Sequence, residues 1–157
     1  MNYLFCLFIF SFFSLTNINA QDPLRFKAEI DNIKSLEYNG DSDAIVFTGS
    51  SSIRFWTDLS DDCTGGEVIN TGFGGSQMSD LMYYLDEAVL KFQPKKVYIY
   101  EGDNDINAEK EPADILTTAK QVVDKILAAD KKIQIVFISA KPSPSRWNYR
   151  DQYVAFN

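Results

Sequence analysis

Three short polar stretches hold the residues whose types and spacing could do chemistry. They are Gly49-Ser50-Ser51-Ser52-Ile53-Arg54-Phe55-Trp56, Asn70-Thr71-Gly72-Phe73-Gly74-Gly75-Ser76-Gln77 and Glu101-Gly102-Asp103-Asn104-Asp105. Taken together they suit acyl transfer, which needs a nucleophile on a tight turn and donors aimed at a developing oxyanion. A serine opening a helical turn offers both a hydroxyl and a backbone N–H. A glycine lets another backbone N–H approach a substrate with no side chain in the way. An asparagine supplies a neutral N–H that cannot ionise and lose its donor. Each stretch alone has a plainer reading: glycine and serine after a strand make turns, and acids there are solvated or cap the turn. The glycines at 72, 74 and 75 resemble a dinucleotide-binding turn, but G-x-G-x-x-G needs glycine at 77, where Gln77 stands. Asp103, Asp105 and Asn107 alternate as in a calcium loop, yet Ala108 and Asp114 occupy the positions that want glycine and glutamate. No metal and no cofactor is expected.

The elements that must position these stretches follow from hydrophobic spacing. A helix over 22–38 carries Phe26, Ile30, Ile33 and Leu36 at helical intervals. Strands are expected over 44–48, 67–69, 97–100 and 133–138. Ser76 suits the N-cap of a helix burying Met78, Leu81, Leu85, Ala88, Val89 and Phe92. Pro112 suits the first turn of a helix running to about Ala129, and a last helix is expected over 145–157. Strands that are apolar throughout need cover on both faces. The fold is therefore α/β: a three-layer α/β/α sandwich around a flavodoxin-like parallel sheet. Such sheets bind ligands outside the carboxyl ends of their strands, so all three stretches fall on one rim. Trp56, Phe73 and Trp147 are candidates for an acyl pocket.

The 157 residues suit one domain, and the formal charge of −7 opposes binding to nucleic acid or to anionic membranes. There is no histidine, hence no imidazole base and no histidine-based metal site. Residues 1–20 carry no charge, are almost wholly Leu, Phe and Ile over 4–13, and end in Ile18-Asn19-Ala20 before Gln21-Asp22-Pro23. They read as a signal peptide cut after Ala20, which implies a secreted or periplasmic product with no stable membrane association. The competing reading is an uncleaved anchor or a buried helix. Cleavage leaves Cys63 as the lone cysteine, so no internal disulfide forms.

The three stretches resemble the first three blocks of the SGNH, or GDSL-type, hydrolases. Phe47-Thr48-Gly49-Ser50-Ser51 matches the block Phe-x-Gly-Asp-Ser, the second block ends in a glycine that falls on Gly75, and Gly102-Asp103-Asn104-Asp105 matches Gly-x-Asn-Asp. The wording GSSSIRFW, GFGGSQMSD, GDNDI and KPSPSRW is similar to a bacterial subgroup of GDSL-like acylhydrolases, from about residue 40 onward. The resemblance implies that Ser51 is the nucleophile. It also implies that Ser51, Gly75 and Asn104 donate to the oxyanion, and that the substrate is a small-molecule or carbohydrate ester. Ser50 departs from the family's aspartate. The family's closing Asp-x-x-His block cannot be present in a chain without histidine. The expectation is therefore that residues 21–157 are an SGNH domain incomplete at its C-terminus. The alternative is a non-catalytic binder of esters or carbohydrates with the same fold.

Overall fold

The computed structural model describes residues 22–38, 40 and 44–157, so the leader expected over residues 1–20 lies outside the described residues. The chain opens with a 3-10 turn, Pro23–Phe26, capped by the Asp22 carboxylate, which accepts the Leu24 N–H at 2.9 Å. Helix α1 (Lys27–Ser35) follows and buries Ile30 and Ile33. It is shorter than its apolar spacing suggests, because the backbone turns extended at Leu36 (ψ 122°).

Strand β1 (Ile45–Gly49) is wholly buried and leads directly into the short helix α2 (Ser51–Arg54). Helix α3 (Leu59–Asp62) and strand β2 (Val68–Asn70) come next. Where one helix is expected from Ser76, the chain forms α4 (Met78–Tyr83), α5 (Leu85–Ala88) and a 3-10 turn, Leu90–Phe92. The cap is Gln77, in a reciprocal box with Asp80, because the Ser76 hydroxyl is spent on Glu101 instead.

After strand β3 (Lys96–Tyr100), the third polar stretch, expected as a loop, winds into the short helix α6 (Asp103–Asn107). Helix α7 (Pro112–Ala129) has the bounds its sequence predicts, with proline in its first turn. Strand β4 (Gln134–Phe137), a 3-10 segment Pro144–Tyr149 and helix α8 (Arg150–Phe156) complete the described chain.

The sheet is parallel, in the order β2-β1-β3-β4. Alternation along β1 and β3 sends Val46, Val97 and Ile99 to one face, into a large core with Ile30, Leu81, Leu85, Val122 and Ile126. Ile45, Phe47 and Tyr100 meet Ile53 and Leu59 in a smaller core on the other face. The layers are thus α1, α4, α5, α7 and α8 against one face and the short α2 and α3 against the other. On the second face β4 leaves Gln134 exposed, and on the first face Phe137, level with Ile99, is exposed as well. An apolar run had implied cover on both faces; here it marks a sheet edge with no strand beyond it among the described residues.

Candidate active site

Gly49 sets the geometry of the first stretch. Its φ is +129°, and a Cβ there would lie 2.1 Å from the Tyr100 carbonyl oxygen. Glycine lets β1 end hard against β3, and the next amide, Ser50 N–H, donates to Tyr100 O at 3.1 Å. Extended backbone at Ser50 (φ −86°, ψ −156°) then hands the chain to α2, with Ser51 at the first helical position. The three serines differ in surroundings. Ser50 is buried and its hydroxyl has no partner, Ser51 is half-buried, and Ser52 is exposed.

The second stretch is laid across the first. Thr71 N–H donates to Phe47 O at 2.9 Å and Phe73 N–H to Gly49 O at 2.8 Å. A Cβ on Gly72 would sit 2.4 Å from the Arg54 backbone nitrogen, and one on Gly74 would sit 3.8 Å from Ser51 Cβ. Gly75 has φ +87°, is exposed, and faces open space.

The third stretch is tied to the second through side chains. Asn104 Nδ2 donates to the carbonyl of Ser76, the residue after Gly75, at 2.9 Å. Asp105 Oδ2 accepts the Met78 N–H at 2.9 Å, while its Oδ1 pairs with Lys110 at 3.0 Å. Ser76 Oγ donates to Glu101 Oε1 at 2.5 Å. The structure therefore gathers all three stretches on one rim, with Ser51 beside Gly74 and Asn104 bonded next to Gly75.

Other candidates are placed elsewhere. Asp103 and Asp105 turn to different cations, Arg146 and Lys110. No group of three or more acidic, cysteine or histidine side chains able to hold a metal occurs among the described residues. Phe73 is fully buried, packed edge-on against Phe26 at 5.1 Å, so it belongs to the core and not to a pocket wall. Trp147 is exposed, and Trp56 is anchored by its Nε1–H to Asp62 at 2.6 Å. A large hollow of about 620 Å³, between the start of α7 and α8, is an open groove bordered by Glu111, Pro112, Leu116 and Gln152. None of the three polar stretches borders it.

Glu101 and Arg146 have no role expected from the sequence. Glu101 is buried; burial pushes its carboxyl well above the usual range, against the opposing pull of the Ser76 hydrogen bond. Its Oε2 has no partner. A glutamate closing the apolar run Val97-Tyr98-Ile99-Tyr100 is a visible signal of this. Burial likewise raises Asp80, opposed by the Gln77 amide and Arg25.

No protein-family model and no curated protein matches the chain. Solved structures do match it. A GDSL-like lipase from Bacteroides thetaiotaomicron is 18% identical, with a TM-score of 0.65 over 86% of this chain and 69% of that one. The SGNH-hydrolase family esterase AlinE4 is 18% identical, with a TM-score of 0.61 over 74% of this chain and 68% of its own. The esterase EstA from a Pseudoalteromonas species is 19% identical, with a TM-score of 0.59 over 73% and 70%. Across these and three further similar structures the chain spans 60% to 70% of the partner's length. The likeness is one of fold, and the solved proteins that share it are described as hydrolases and esterases.

Proposed function

We propose that the rim built from Ser51, Gly75 and Asn104 belongs to an exported hydrolase of carboxylic esters. The observation that carries this reading is the stitching of three strand ends by Ser50 N–H to Tyr100 O, Phe73 N–H to Gly49 O and Asn104 Nδ2 to Ser76 O. In this reading Ser51 Oγ attacks the ester carbonyl carbon and forms an acyl-enzyme as the C–O bond to the alcohol breaks. The N–H groups of Ser51 and Gly75 and the amide of Asn104 donate to the oxyanion as it develops. The hydroxyl proton must leave Ser51 during attack, and no histidine in these 157 residues can take it. The reading therefore needs a base for that proton other than a histidine of these 157 residues, and the 157 residues alone are expected to be inactive on simple esters.

The test is p-nitrophenyl acetate turnover by the protein of the natural reading frame and by its Ser51→Ala variant. Turnover that Ser51→Ala abolishes supports the reading; turnover that survives it refutes the assignment. The lack of histidine favours one competitor, a non-catalytic ester or carbohydrate binder of the same fold. It predicts saturable ligand binding with no turnover.

A further inference from the structure

The motif KPSPSRW has no part in the reading above, yet it supplies the side chain that grips Asn104. Arg146 Nη2 donates to Asn104 Oδ1 at 3.3 Å, while Asn104 Nδ2 donates to Ser76 O at 2.9 Å. We infer that Arg146 is a positioning residue that fixes which way round the Asn104 amide stands, an inference that rests on the ester-hydrolase reading of the rim.

A primary amide is nearly symmetric in shape. Turning it by half a circle exchanges oxygen and nitrogen with little steric change, so hydrogen bonds alone decide its orientation. Here a flip would set the NH₂ group against a guanidinium, which has only donors, and the amide oxygen against the Ser76 carbonyl, which only accepts. Both contacts would turn repulsive at once. The observed orientation leaves the second N–H of Nδ2 free for an oxyanion.

The guanidinium is itself held. Arg146 Nη1 donates to Asp103 Oδ2 at 2.5 Å and to the Asp103 carbonyl at 3.3 Å. The Tyr153 hydroxyl donates to the other carboxylate oxygen, Oδ1. Burial, followed by that bond to Asp103, pushes the Tyr153 phenol up to about 12, so it remains a donor throughout the neutral range. The carboxylate is thus fixed from α8 and the guanidinium from the 3-10 segment that carries Arg146. Lysine could keep the charge pair with Asp103, but its single ammonium lacks the fork that spans Asp103 and Asn104 together.

Two readouts test this in the protein of the natural reading frame. For Arg146→Lys and Arg146→Ala, kcat on p-nitrophenyl acetate should fall roughly ten- to a hundredfold, the worth of one hydrogen bond to a charged group, with KM little changed. Added to Asn104→Ala, neither substitution should lower kcat further, because the amide they orient is gone. A fully additive loss would overturn the proposal. The second readout needs no catalysis. The Asn104 side-chain amide pair in a ¹⁵N spectrum, assigned by its disappearance in Asn104→Asp, should shift in Arg146→Lys while the backbone spectrum is preserved. An unmoved pair would overturn the inference. Turnover that survives Ser51→Ala would instead defeat the hydrolase reading and leave this spectral test standing.

Discussion

Gly49→Ala is the substitution whose cost follows most directly from the structure. The added carbon would lie 2.1 Å from Tyr100 O and 2.7 Å from Tyr100 C, both backbone atoms that no side-chain rotation can move. Favourable carbon contacts begin near about 3.5 Å, so β1 and β3 must part by roughly 1 Å at their carboxyl ends. That separation removes the 3.1 Å bond from Ser50 N–H to Tyr100 O, which holds the serine turn in place. The backbone at φ +129° adds a conformational penalty of about 1–3 kcal/mol for any L side chain. Overpacking adds about 1–3 kcal/mol. The two penalties total about 2–6 kcal/mol, a large share of a domain's usual stability of roughly 5–15 kcal/mol. Gly65→Ala is the control, because Gly65 has φ +109° but nothing within 4 Å of its would-be Cβ, so it carries the conformational penalty alone. Urea titration reads the difference. With a slope of about 2 kcal/mol/M, the Gly49 variant should lose roughly 1–3 M from its midpoint and the Gly65 variant about half of that. Equal shifts in the two variants would refute the steric argument.

Three further outcomes are expected. Ser51→Ala should abolish ester turnover without lowering the urea midpoint; Ser50→Ala and Ser52→Ala should be milder, and Ser50→Ala should cost no stability because its buried hydroxyl has no partner. Asn104→Ala should lower kcat by about 10²–10³, roughly 3–4 kcal/mol, with KM little changed. Raised KM at constant kcat would place Asn104 in ground-state binding. Glu101→Gln should flatten the pH dependence of stability. The folded state lifts this carboxyl, so it retains a proton that the unfolded chain has lost, and stability falls as pH rises from the unfolded value to the folded one. The variant should match the natural chain in acid and exceed it at alkaline pH, by roughly 1.4 kcal/mol per pKa unit of lift, measured as urea midpoints across pH. A variant whose stability parallels the natural chain at every pH would mean that Glu101 is not lifted.

The frame of the fold was legible because its signals are local and repeated. Helix α7 announces itself by Pro112 and a regular apolar face, and β1 and β3 by short apolar runs. The parallel order then follows from the need to cover both faces. Less legible was anything decided by a partner distant in sequence. Ser76 has the chemistry of a cap, but its hydroxyl goes to Glu101, 25 residues away, and Gln77 takes the capping role. Phe73 looks like a pocket aromatic next to three glycines, and only the packing of Phe26 and Tyr84 around it makes it core. The three strand ends could be placed on one rim from topology alone. Their stitching could not, since the Asn104 amide, the Asp105 carboxylate and the Arg146 guanidinium make bonds that spacing does not encode.

The buried polar side chains are concentrated on the same rim. The buried polar side chains among the described residues are Thr48 and Ser50 at the end of β1, Thr71, Ser76, Gln77 and Asp80 after β2, and Glu101 and Asp105 after β3. All stand at the carboxyl ends of strands or the helix starts that follow. The opposite ends are closed by apolar residues such as Ala44, Phe92, Val97 and Ile133. Burying a polar group costs free energy unless it is partnered, so a core optimised only for stability would not crowd eight such groups at one end. Most here are partnered, and the exceptions, Thr48 Oγ1, Ser50 Oγ and Glu101 Oε2, lie at the carboxyl ends of the two central strands. Local rules of stability are broken where a chain has another task, and here the breaks converge on the turn that holds the serine.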